Sequence, residues 1–80
     1  MDDFNIIQAI EAWERDNLPG YVSGSGVQRC LSPHEGGGVW WAVALGPMSR
    51  TKGIGTAPTL REAFEKACTD WERNIAPHYR

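Results

Sequence analysis

This 80-residue sequence predicts an α+β fold of two layers: αβββα order, with a three-stranded antiparallel sheet carrying both helices on one face. Three observations point there. Between Gly38 and Gly46 stands an apolar run with the alternation of a strand. An amphipathic helical period lies on either side of the strand region. The connections are short, which favours antiparallel neighbours packed in one two-layer core.

The first helix is expected from Ile6 to about Asp16. Ile6, Ala9, Ile10 and Trp13 recur at helical spacing, and Gln8, Glu11, Glu14 and Arg15 fall largely on the other side. Asn5 with Gln8 fits a capping box, with Phe4 and Ala9 as its staple, and Asp2 or Asp3 is the rival cap. Asn17-Leu18-Pro19-Gly20 ends the helix. Gly24 and Gly26 make Tyr21 to Gly26 an irregular or bulged lead-in, and Val27 to Leu31 the better strand. Ser32 to Gly38 is a loop by composition, and its glycines precede no helix start that could complete a phosphate cradle.

In the central strand, period two sends Val39, Trp41, Val43 and Leu45 to one face and Trp40, Ala42 and Ala44 to the other. The first set is bulky and apolar throughout, so it is the expected core face, with Trp41 beneath Ile10, Trp13, Phe64 and Trp71. Thr51 to Ala57 is expected as a short third strand around Ile54, its glycines suiting an edge or a close approach by a neighbouring backbone. Thr59-x-x-Glu62 is a capping box, followed by a continuous stripe of Leu60, Ala63, Phe64, Ala67, Cys68, Trp71 and Ile75. Arg61 with Glu65 and Glu62 with Lys66 are spaced for ion pairs on the wet side. The helix should stop near Asn74, before Pro77, leaving His78-Tyr79-Arg80 as a frayed tail.

Residues 1–80 make one small domain, since two halves would each be too short to bury a core. Four tryptophans, Trp13, Trp40, Trp41 and Trp71, supply much of what that core needs. The net charge of −2, with basic residues interleaved among acids, describes a small acidic protein with a mixed solvated surface. That argues against general nucleic-acid binding, whose footprint is a basic patch or stripe. Cys30 and Cys68 lie far apart with no metal-binding spacing and fit free buried thiols in a reducing cytoplasm, although a disulfide between them is an alternative. An acidic start without an apolar run does not resemble a signal peptide, and no stretch reaches membrane-spanning length. A cytoplasmic location follows as the expectation.

No catalytic or metal signature emerges, and the expectation is a protein that is not an enzyme and takes no cofactor. His34 and His78 fall in loop and tail, and a pairing with Cys30 would lack a third ligand. The acids Glu11, Glu14, Glu62 and Glu65 serve solubility. Trp40 is the most informative side chain. With both helices on the other face, it stands beside only Ala42 and Ala44 along its strand. It then either anchors a partner or lies over neighbouring strands under Arg29 or Gln28. The expected partner-binding residues are Trp40, Arg29, Arg50 and Lys52. A homodimer is a second use of the same patch.

The αβββα order is similar in outline to double-stranded-RNA-binding domains, with Lys52-Gly53-Ile54-Gly55-Thr56 leading into the last helix. It departs from them at Thr59-Leu60-Arg61-Glu62, where a lysine cluster would grip phosphates. The chain also resembles small uncharacterised bacteriophage domains of helix-sheet-helix sandwich type. That likeness rests on Ile6-Ile7-Gln8-Ala9-Ile10-Glu11-Ala12-Trp13, Val39-Trp40-Trp41-Ala42-Val43 and Thr56-Ala57-Pro58-Thr59-Leu60-Arg61-Glu62-Ala63, and it covers most of the chain. It implies a phage or prophage origin with no activity to inherit.

The expectation is therefore a non-enzymatic mini-protein that binds a host protein or complex through its sheet face or a strand edge. It would inhibit or modulate that target, antiviral defence complexes such as CRISPR effectors included. Carboxylates of Glu11, Asp16, Glu65, Asp70 and Glu72 could stand where phosphates would go. The alternative is a small nucleic-acid-binding regulator using Arg29, Arg50, Lys52 and Arg61, whose affinity would fall steeply with salt.

Overall fold

The computed structural model describes residues 4–31, 38–48 and 51–79. It contains α1 (Ile6–Asn17), β1 (Gly26–Leu31), β2 (Val39–Leu45), β3 (Gly53–Ala57), α2 (Leu60–Asp70), a π-helical turn (Trp71–Ile75) and a final turn α3 (Ala76–Tyr79). The sheet is antiparallel in the order β1-β2-β3. The α+β class and the αβββα order are as the sequence predicts.

Asn5 is the N-cap of α1, its side chain accepting from the backbone N–H of Ile7 at 3.0 Å and of Gln8 at 3.1 Å. Gly20 takes a positive φ of 85° in the turn that follows, a conformation glycine adopts without a Cβ penalty. At α2 the Thr59 hydroxyl caps the Glu62 N–H at 3.2 Å. Both helix starts thus satisfy amide groups that have no intrahelical partner.

Register assigns the two faces of the sheet. Trp41, Val43 and Leu45 stand opposite Ala57, Gly55 and Gly53 of β3, and Val27, Arg29 and Leu31 stand opposite Val43, Trp41 and Val39. These residues share one face, and both helices lie on it. A Cβ on Gly53 would sit 2.7 Å from the Ala67 carbonyl oxygen and 2.8 Å from Trp71 Cβ, and one on Gly55 would overlap Ala63 O and Ala67 N. The alternate glycines of β3 are what let α2 lie directly on the strand. Val43, Leu45, Ala57, Ala63, Ala67 and Trp71 form the core with Trp13 and Leu18 of the first helix and its exit.

α1 runs beside α2 in the same direction. Phe4, just before α1, packs on Phe64 near the start of α2 with ring centroids 5.8 Å apart, and Trp13 meets Trp71 edge-on at 5.1 Å. The edge-to-face tryptophan pair adds about 1 kcal/mol beyond the area it buries.

Several expectations are corrected. Val39 is 51% exposed rather than core, because it stands at the end of β2 opposite the exposed Leu31, beyond the cover of the helices. Trp41 is half-buried, packed against the core and not sealed within it. The helical chain does not stop at Asn74. The Ala76 N–H bonds to the Trp71 carbonyl, five residues back, and helix resumes through Pro77 to Tyr79. A wider π turn rearranges the hydrogen-bond ladder just where proline would break a regular one. Lys66 gives its ammonium to the Thr56 carbonyl at 3.3 Å, in place of the expected pairing with Glu62. The loop at 32–37 with His34, together with Arg50 and the rival caps Asp2 and Asp3, lies outside the described residues.

Candidate partner-binding face

The face of the sheet turned away from the helices carries Cys30, Gln28 and Gly26 on β1, Trp40, Ala42 and Ala44 on β2, and Ile54 and Thr56 on β3. Cross-strand pairs Cys30 with Trp40, Gln28 with Ala42 and Thr56, and Gly26 with Ala44 and Ile54 fix this arrangement. None of the described helices packs on it. Ala42 and Ala44 are half-buried, and Ile54 is 51% exposed.

Small side chains at Gly26, Ala42 and Ala44 leave a shallow depression of about 360 Å³ between Gln28 and Ile54, and nothing lies within 4 Å of where a Gly26 Cβ would stand. Trp40 stands two residues before Ala42 on the same face and is not among the residues that line this depression. It is half-buried. Its direct cross-strand neighbour is Cys30, not Arg29.

Arg50 lies outside the described residues, and the other three expected partner-binding residues, Trp40, Arg29 and Lys52, do not form one cluster. Arg29 pairs in register with Trp41 and therefore projects on the helix side, opposite to Trp40, so it cannot cover Trp40. Lys52 precedes β3, and its ammonium reaches the Met48 carbonyl at 3.4 Å. It sits near the Leu45 end of β2, five residues or roughly 17 Å along the strand from Trp40. Arg61, a candidate for nucleic-acid contact, lies over the Phe4 ring at 4.8 Å. Of the three that are described, Trp40 alone stands on the open face, and Ile54 joins it. The alternation Gly53-x-Gly55-x-Ala57 carried a signal for this, since small residues packed beneath a helix put Ile54 and Thr56 on the far side.

The two outer strands of the sheet differ in a way that sequence reading missed. The Asp70 carboxylate accepts from the Ile54 N–H at 2.8 Å and from the Asn74 amide at 2.6 Å. These hydrogen bonds, the backbone one foremost, hold the Asp70 carboxyl below its ordinary value of 3.8. With Lys66 on the Thr56 carbonyl, α2 thereby covers the outer edge of β3. Asp70 is a structural acid, committed to Ile54, and this removes it from the carboxylates expected to imitate phosphates.

The thiols are free and half-buried. Burial pushes the Cys68 thiol up to about 11, with the Glu72 and Glu65 carboxylates adding to the effect, so it remains protonated and poorly nucleophilic near neutrality. Among the described residues no group of three or more His, Cys, Asp or Glu is placed to hold a metal ion, and no helix is long and apolar enough to cross a membrane. Comparison with protein-family models, with curated proteins and with solved structures finds no match. Architecture and face together define a two-layer α+β fold with one sheet face that none of the described helices covers.

Proposed function

We propose that this chain is a non-enzymatic protein-binding domain that docks its partner on the open sheet face, with Trp40 as anchor. One observation carries the reading: the face that no described helix covers is largely apolar. The wet side of a one-sided antiparallel sheet is ordinarily polar, yet here only Gln28 and Thr56 stand among Trp40, Ala42, Ala44, Cys30 and Ile54. Contiguous apolar surface with a polar rim marks interaction sites, and tryptophan is enriched among the residues that dominate binding energy.

The resemblance to phage sandwich domains supports a host protein or complex as the partner, in the bacterial cytoplasm, with inhibition or modulation as the consequence. Antiviral defence complexes, CRISPR effectors among them, belong to that class. The nucleic-acid alternative gains no support from geometry, since Lys52 reaches the Met48 carbonyl and Arg61 lies over the Phe4 ring.

Capture from bacterial lysate on the immobilised chain, with Trp40→Ala and Ile7→Ala as paired variants, tests the reading. Ile7 is an exposed helix residue far from the face. The expected result is one protein retained by the wild type and by Ile7→Ala, with at least tenfold weaker retention by Trp40→Ala. Equal retention by all three would remove the face from the interface.

A further inference from the structure

The outer edge of β1 offers a second, more specific element of recognition. Hydrogen bonding fixes which backbone groups point outward. On β3, the Ile54 N–H and Thr56 C=O turn away from β2 toward Asp70 and Lys66. Gly53, Gly55 and Ala57 therefore bond to Leu45, Val43 and Trp41, and the residues between these on β2 bond to β1. The bonds Gly24 N–H to Gly46 O at 2.9 Å and Met48 N–H to Val22 O at 3.0 Å continue the same register and agree with that parity. Gly26, Gln28 and Cys30 thus face β2, and the N–H and C=O groups of Val27, Arg29 and Leu31 face outward.

Among the described residues nothing bonds to those outward groups, in contrast to the covered edge of β3. The side chains follow the same division. Val27 is 40% exposed and Leu31 84% exposed, with Arg29 exposed between them. α1 reaches only the Ser23 end, where the Ser23 hydroxyl donates to the Glu14 carboxylate. Arg29 is the sole charge in β1, and among the described residues no carboxylate pairs with it.

From this we infer that β1 takes up an extended strand of a partner protein, carrying a carboxylate side chain opposite Arg29 and apolar residues two positions to either side, opposite Val27 and Leu31. Backbone bonds would supply affinity and the alternate side chains specificity. Charge selects the occupant. A second copy of the chain, paired about a two-fold axis so that Val27 meets Leu31, would set Arg29 against Arg29, and like charges directly opposite are destabilising. An unpaired cation on an edge strand guards against self-pairing, and it also favours an acidic strand. The inference rests on the protein-binding reading and adds the chemistry of the segment recognised.

Titration of the ¹⁵N-labelled full chain with the capped peptide Thr-Val-Thr-Glu-Thr-Val-Thr tests it. The expected result is saturable shifts at the amides of Val27, Arg29 and Leu31. The same peptide with Lys in place of Glu should bind about threefold to fivefold more weakly, and Arg29→Glu should reverse that order. Equal binding of the two peptides overturns the inference, as does a lack of saturable shifts at those amides. So does a dimer by sedimentation whose formation moves the same amides without peptide, because a second copy then holds the edge. Trp40→Ala separates the two proposals. If it leaves peptide binding intact but abolishes lysate capture, both stand. If the titration fails while capture still depends on Trp40, only the edge is lost.

Discussion

The two flanks of the sheet are built on opposite plans. β3 has glycines at alternate positions, so α2 rests on its backbone, and its outward Ile54 N–H and Thr56 C=O are taken by Asp70 and Lys66 of that helix. β1 has Val27, Arg29 and Leu31 at the corresponding positions, and among the described residues no helix lies on them and nothing bonds to its outer edge. An exposed edge is a liability that folds cover or charge. Here one edge is covered and the other carries a single arginine. β3 thus serves the core, and the proposed partner would use β1 and the far face of β2.

Substitutions at the glycines should break this comparison most sharply. Gly55→Ala puts a methyl group into the backbone of α2 at Ala63 and Ala67, which cannot yield without lifting the helix. A loss of about 3 kcal/mol is expected from chemical denaturation. Gly26→Ala, on the other flank, meets nothing within 4 Å, and its effect should stay within about 0.5 kcal/mol. Similar losses at the two sites would mean that α2 does not lie on β3 as described.

Asp70→Ala should have an intermediate effect. At neutral pH the variant loses the carboxylate on the Ile54 N–H, a change of about 1 kcal/mol, kept modest because the group is only half-buried. The sign of the pH dependence follows from the depressed carboxyl. Its contribution is complete above the ordinary value of 3.8 and is lost as pH falls through the lower value of the folded state. The stability gap between wild type and variant should therefore narrow below about pH 4. A gap constant down to pH 2 would show that Asp70 acts by packing alone.

How much of this was legible in the sequence depended on whether a feature is local. The uninterrupted run Val39 to Leu45 appears as β2 with the bounds its alternation indicates, and Thr59 caps α2 as its spacing with Glu62 suggests. Asn5 behaves likewise. Nonlocal features escaped. The side of the sheet that Arg29 occupies depends on the pairing sum between β1 and β2, and no feature of β1 alone sets it. Val39 alternates correctly yet is exposed, since burial depends on how far the helices reach. Pro77 reads as a stop, but the π turn before it lets the helix go on. Trp40 was legible because strand parity alone separates it from Trp41.

The most direct test of the central claim is a methyl spectrum of the chain bound to its captured partner. The alanines act as internal reporters, Ala42 and Ala44 on the open face and Ala63 and Ala67 in the helix core. Binding through the face should move the methyl resonances of Ala42, Ala44 and Ile54 and leave those of Ala63 and Ala67 in place. Unmoved Ala42, Ala44 and Ile54 methyls in a saturated complex would contradict the account and place the interface elsewhere on the molecule.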